Sequence, residues 1–262
     1  MPLSPPSPWP SETVPWRLPR AGHFGRTALV LPRVVSTMDE VWQRAATAEE
    51  GLVVLAEEQT GGRGRFRRPW RAPAGSSLLL SLLFRPPVAS LPQLPPLLAL
   101  AAAEAIEAVC GRSVGLKWPN DLLIAGRKVG GILVESQLLD QRVTAVGGIG
   151  INGNFDPATV PGIPAEATSL LVACGRAVDR PALLEALLAR LDAGYARLLA
   201  GENLLPAWRA RLVTIGRWVT VQVGEQQVSG QALDVDREGK LILRRADGSL
   251  ETLAAGEVTL QR

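Results

Sequence analysis

Apolar residues fall along this chain in two kinds of pattern. Residues 27–33 and 52–57 are short apolar runs of strand length, and between them Thr37-Met38-Asp39-Glu40 forms a capping-box pattern ahead of Val41, Trp42, Ala45 and Ala46. A helix is therefore expected to start at Ser36 or Thr37, its first backbone amides free to meet a ligand carboxylate or carbonyl. Residues 76–84 read as a buried strand, and residues 94–110 as a long helix stopped by Gly111. From 113 to 149, short apolar runs alternate with turn signals at Pro119-Asn120-Asp121, Gly126 and Asp140-Gln141, the pattern of consecutive antiparallel strands. Asp179 and Pro181 open a further helix through Leu184, Leu187, Leu188 and Leu191 to about Leu199, with Gly201 beyond it. From residue 212 the texture changes to short β segments at 218–223, 228–235, 241–245 and 250–253, turned by Gly224, Gly239 and Asp247-Gly248. A small closed barrel is expected there. The chain is thus divided into a proline-rich extension (1–24, expected to be poorly ordered), a main domain (25–211) and a small β domain (212–262).

Composition narrows the chemistry. The chain has 262 residues, of which 47% are hydrophobic, enough for a substantial core, and its net charge of +3 is too small for basicity spread over the whole surface. The longest apolar stretch, 97–109, is interrupted by Glu104 and Glu107, so no membrane span is expected. Cys110 and Cys174 are far apart in sequence and suggest no disulfide framework, and the leader lacks an apolar signal core, so a cytoplasmic protein is expected. His23 is the sole histidine, which argues against Ser-His-Asp and Cys-His catalysis and His-based zinc sites. Chemistry then has to run on Arg, Lys, Asp, Asn and backbone dipoles.

Three segments concentrate those groups. Residues 59–70 read QTGGRGRFRRPW, where glycines let the backbone approach an anion and Arg63, Arg65, Arg67 and Arg68 offer planar forks for phosphate; taken alone, the run is equally a solvated basic turn. Lys117-Trp118-Pro119-Asn120-Asp121 presents an ammonium, an amide and a carboxylate at a strand junction, suited to neutralising phosphate and to holding magnesium through oxygen, or else a hairpin with an incidental charge pair. In Gly126-Arg127-Lys128-Val129-Gly130-Gly131, paired glycines entering an apolar strand suggest that something lies against the backbone, with Lys128 pointing into that site. The run Gly148-Ile149-Gly150-Ile151-Asn152-Gly153 matches G-x-G-x-x-G, but prolines follow where a dinucleotide fold needs a helix, and no P-loop sequence occurs.

Taken in order, Ser36-Thr37, QTGGRGRFRRPW, KWPNDLL, RKVGGILVE, GIGINGN and Ala167-Thr168-Ser169-Leu170 resemble the motifs of biotin protein ligases over about 135 residues. With no helix-turn-helix ahead of the core, the chain looks like the monofunctional class, and no specific DNA binding is expected. The resemblance implies an α+β fold: a central mixed, mostly antiparallel sheet flanked by helices, like a class II synthetase catalytic domain, plus a small C-terminal SH3-like β-barrel. It implies that biotin and MgATP give biotinyl-5′-AMP and pyrophosphate, after which a lysine of a biotin carboxyl carrier protein attacks the mixed anhydride. Ser36, Thr37, Gln59, Gly62, Arg63, Lys128, Gly131 and Gly148 would surround biotin. Arg63, Arg65, Arg68, Lys117, Asn120, Asp121 and Asn152 would serve ATP, with Asp121 as the magnesium ligand and Lys128, Arg65, Lys117 and Asp121 as the catalytic set. A homodimer is left open. The chain departs from the family at Met38, commonly Asn, at Arg67, frequently Gly, and at Phe66, and the arginine loop is expected to fold over bound adenylate. The competing readings are a lipoate or octanoate ligase or transferase of the same fold and a nucleic-acid module; few aromatics in the C-terminal segment oppose the latter.

Overall fold

The segment LLLSLLF can lie only where both of its faces are covered, and it forms a central strand. In the computed structural model, which describes residues 15–16 and 22–260, these seven residues are β4 (Leu78–Phe84), all buried. β4 belongs to an eight-stranded sheet with β1 (Pro15–Trp16), β2 (Ala28–Leu31), β3 (Val53–Ala56), β5 (Gly115–Lys117), β6 (Asp121–Ile124), β7 (Arg127–Leu139) and β8 (Arg142–Ile151), in the order β1-β2-β3-β4-β8-β7-β6-β5. Only β2 and β3 pair in parallel, because α1 (Thr37–Arg44) is the crossover between them; the other pairs are antiparallel. The β5–β8 run bears out the consecutive antiparallel strands read from the turn signals. The proline-rich extension lies largely outside the described residues.

The two faces of the sheet are covered differently. One carries α2 (Leu94–Cys110) and α4 (Arg180–Leu199), whose leucines and alanines pack with Leu80, Leu82, Phe84, Ile132 and Ile149 in the main core. The helical stretch 88–110, which contains α2, is long and apolar enough to cross a bilayer by composition alone, yet most of it is buried. The other face carries α1, with Met38 and Val41 against Leu31, Val54, Leu83 and Val146. Ser36 is the N-cap of α1 and accepts from Met38 N at 3.3 Å, so the capping residue lies one position before the pattern's Thr37. Thr37 is thereby freed for another task, and Glu40 pairs with Arg44 at 2.6 Å.

After α3 (Leu170–Cys174) and α5 (Leu205–Ala210), the chain enters a second sheet of β9 (Trp218–Val223), β10 (Gln226–Val235), β11 (Leu241–Arg244), β12 (Leu250–Leu253) and β13 (Glu257–Leu260). Its order is β12-β11-β10-β9-β13, and among the described residues β12 and β13 do not pair, so the closed barrel expected from the sequence is here an open five-stranded antiparallel sheet. β13 has the length and apolar content of β12, and its place in the sheet comes from pairing with β9. Trp118 ties the two sheets, its backbone N–H donating to Thr214 Oγ1 and its indole N–H to the Gly239 carbonyl, each at 2.9 Å.

The expectation of unpaired cysteines is corrected. Cys110 and Cys174 end α2 and α3, and the fold returns α3 to the end of α2, where the two residues form a disulfide with their Cα atoms 5.5 Å apart. Sequence separation carries no information about that distance. In the chain-entropy picture, closing a loop of 64 residues stabilises by about 4 kcal/mol. Reduction, or Cys110→Ser, is expected to lower the unfolding free energy by roughly that amount, as measured by denaturant titration with and without reductant.

Candidate active site

Glycines on the α1 face of the sheet leave a strip of bare backbone. Gly131 on β7 and Gly150 on β8 are register partners, and Gly148 lies two residues before Gly150 on the same face. Part of the close approach expected from these glycines is made by the chain's own side chains. A Cβ on Gly150 would come within 2.7 Å of the Trp70 ring, one on Gly131 within 3.4 Å of it, and one on Gly148 within 3.0 Å of the Met38 sulfur. Trp70 and Met38 thus rest directly on the strip.

Over this floor opens a cavity of about 700 Å³. Ser36, Thr37 and Gln59 line one end, and Arg63, Arg65 and Arg68 reach in from the arginine loop. Lys117, Asn120, Asp121, Lys128 and Asn152 come from β5–β8 and their turns, with Gly131 and Gly148 beneath. Gly62 is the one residue of the expected set that does not line the cavity. It is buried beside it, and a Cβ there would come within 3.0 Å of both the Gln59 side-chain nitrogen and the Trp70 carbonyl. Sequence reasoning assigned no place in the site to Ser81, Trp70 or Arg71, nor to residues 256–260 of the C-terminal sheet, and marked Met38 only as a departure from the family. Ser81 had a usable signal, as the single polar residue in LLLSLLF.

One carboxylate organises the cationic side. Asp121 is buried, with Oδ1 2.5 Å from Lys128 Nζ and Oδ2 3.0 Å from Lys117 Nζ. Lys117 Nζ also donates to the Val258 carbonyl at 3.3 Å, and Lys128 Nζ sits 5.7 Å from the centre of the Trp70 ring. Both oxygens of Asp121 face ammonium groups, so a magnesium ion at this carboxylate would have to share it with Lys117 and Lys128. No cluster of three or more His, Cys, Asp or Glu suited to a metal occurs among the described residues. Asn120 and Asn152 spend their amide N–H groups on the Ile132 and Thr168 carbonyls, each at 2.9 Å, so both side chains are fixed in place.

The arginines divide by partner. Arg63 forms ion pairs with Asp39 at 2.8 Å and Glu135 at 3.2 Å; burial works against its charge, but the hydrogen bonds it donates to these carboxylates outweigh burial and raise its pKa. Arg65 donates to the Gly256 carbonyl at 2.9 Å, and burial lowers its pKa from the ordinary arginine value against the opposing charges of Asp121 and Glu257. Arg68 pairs with Glu257. Between them Phe66 and Arg67 have φ of 54° and 57°, the left-handed backbone that glycine adopts without cost. Arg67 occupies a conformation suited to the glycine frequent in the resembling family, with its side chain exposed.

Residues 30–154 match the Biotin/lipoate A/B protein ligase family, and residues 214–260 match the Biotin protein ligase C terminal domain. The chain is 36% identical over 251 residues to the biotin–[acetyl-CoA-carboxylase] ligase of Mycobacterium tuberculosis, covering 91% of this chain and 90% of that one. It is 35% identical to the bifunctional ligase/repressor BirA of Bacillus spizizenii, covering 84% of this chain and 70% of that protein. Among solved structures, the biotin protein ligase of Aquifex aeolicus in complex with biotin and ATP superposes with a TM-score of 0.75 at 28% identity, over 90% of this chain and 98% of that one.

The two strip glycines differ in what stands over them. A methyl at Gly150 would strike the rigid Trp70 ring, whereas one at Gly148 would meet the flexible end of Met38. Gly150→Ala is expected to destabilise by about 1–3 kcal/mol, and Gly148→Ala by clearly less, in parallel denaturant titrations.

Proposed function

The chain belongs to the biotin/lipoate A/B protein ligase family, and we propose that it joins biotin to a carrier lysine at the expense of ATP. The observation that carries this reading is the Lys117–Asp121–Lys128 bridge facing a glycine-floored cavity under an arginine loop. Adenylation brings two anions together, the biotin carboxylate and the α-phosphate, and cations held in place beforehand offset their repulsion. A carboxylate oxygen of biotin attacks the α-phosphorus and pyrophosphate leaves, giving biotinyl-5′-AMP. The amine of the acceptor lysine then attacks the acyl carbon and AMP leaves.

Lys128 bridges the biotin carboxylate and the α-phosphate, with Asp121 holding its ammonium in place. Lys117, Arg65 and Arg68 face the phosphates, and Ser36, Thr37 and Gln59 hold the ring end of biotin. Arg63, already paired with Asp39 and Glu135, anchors the arginine loop against α1 and β7. Asn120 and Asn152 support the nucleotide from fixed positions. Magnesium arriving with ATP would supply further neutralisation of phosphate charge, and Asp121 would be its candidate ligand from this chain. The acceptor is a biotin carboxyl carrier domain, the domain boundary lies near Arg211, and the chain does not bind DNA specifically. The names of the relatives favour biotin over lipoate or octanoate.

Lys128→Ala is expected to keep the melting temperature and lose biotin-dependent pyrophosphate release by at least a hundredfold, roughly the scale on which one preorganised cationic contact acts. Near-wild-type release would refute the assignment. Backbone hydrogen exchange across residues 61–71 is expected to slow when biotinyl-5′-AMP is bound, and equal protection with and without it would count against closure of the loop.

A further inference from the structure

Ser81 is a hydroxyl in an otherwise apolar, fully buried strand, and it lines the cavity. Its hydroxyl lies 2.8 Å from Thr37 Oγ1, and the structure gives it no other side-chain hydrogen bond at the cavity. The direction of that bond follows from counting protons. Gln59 Oε1 is acceptor-only and receives both the Thr37 backbone N–H at 2.8 Å and the Thr37 hydroxyl at 3.1 Å. The single hydroxyl proton of Thr37 is therefore committed to Gln59, so the proton between Thr37 and Ser81 belongs to Ser81. The hydrogen bonds run from Ser81 to Thr37 to Gln59, and among the described residues no side chain donates to Ser81. Ser81 Oγ, already bonded to Thr37, thus keeps acceptor capacity that a ligand N–H can take.

Beside it, Ser36 spends its oxygen on Met38 N at 3.3 Å and keeps its own proton, so this end of the cavity offers a donor together with acceptors. A cyclic urea has the matching set, one carbonyl between two N–H groups. We propose that Ser81 fixes the proton order of this chain and accepts one N–H of the urea ring of biotin, making it a further specificity-determining residue. The proposal rests on the biotin-ligase reading above.

The test is steady-state pyrophosphate release by the full chain, varying biotin and MgATP separately. Ser81→Ala is expected to raise the KM for biotin about tenfold, the scale of one hydrogen bond, while kcat and the KM for MgATP stay within twofold. Ser81→Thr, which keeps the hydroxyl, is expected to hold the biotin KM within threefold of wild type. Adding Ser81→Ala to Thr37→Val is expected to cost less than the product of the two single effects, because the two hydroxyls act as one unit. An unchanged biotin KM in Ser81→Ala, or an equal loss in the KM for MgATP, overturns the proposal. Should Ser81→Ala not fold, Ser81→Cys keeps the volume with a weak hydrogen-bonding group, and a wild-type biotin KM in that variant overturns it as well. A wild-type chain that releases no pyrophosphate when biotin is added overturns the ligase reading and this proposal with it; an active wild type beside an indifferent Ser81→Ala overturns this proposal alone.

Discussion

A single carboxylate, that of Asp121, holds the ammonium groups of Lys117 and Lys128 at the edge of one cavity, and the rest of the site is arranged around that bridge. Two like charges placed so close would repel each other without it, and the buried carboxylate would be costly without them. The bridge carries one net positive charge, which is what an incoming pair of anions requires. Its geometry comes from the sheet: Lys117 and Asp121 are register partners on β5 and β6, and Asp121 is in turn opposite Gly131 on β7. The turn at Pro119-Asn120 therefore determines the site as much as the charged residues do.

The second constraint is that the cavity is closed by chain from far along the sequence. Lys117 reaches the Val258 carbonyl, Arg65 the Gly256 carbonyl, and Arg68 the Glu257 side chain. The arginine loop is thus held against β13 by groups that also face the cavity, and an anionic ligand competes with Glu257 and the two carbonyls for the same cations. Trp118 anchors the C-terminal sheet through Thr214 and Gly239, so that wall is fixed relative to β5 and β6. The C-terminal sheet is part of the site.

Local sequence signals were sufficient wherever an element is defined by its own periodicity or its ends. β4, α2 with its Gly111 stop, α4 with its Asp179 cap and the β5–β8 run all fall into this group. What was illegible depends on long-range return of the chain. The Cys110–Cys174 bond, the β13 wall and the open order of the second sheet are set by tertiary packing, which no local pattern encodes. The same holds inside the site. The glycine strip was legible as a place of close approach, but not that Trp70 and Met38 would rest on it. Asp121 was legible as a polar group at the junction, whereas its double engagement by lysines required Lys128 to arrive from the next strand. The departures at Phe66 and Arg67 find a physical description in their left-handed backbone: the loop keeps a glycine-type shape while carrying side chains.

The central claim is that the two-lysine bridge serves ATP-driven attachment of biotin. The most direct measurement offers the purified chain, with MgATP, a biotin carboxyl carrier domain and either biotin or lipoate, and reads the intact mass of the carrier. The account predicts a single biotin adduct on one lysine, dependent on ATP, and no lipoyl adduct. A lipoyl adduct, or an unmodified carrier in the presence of biotin and MgATP, would contradict it.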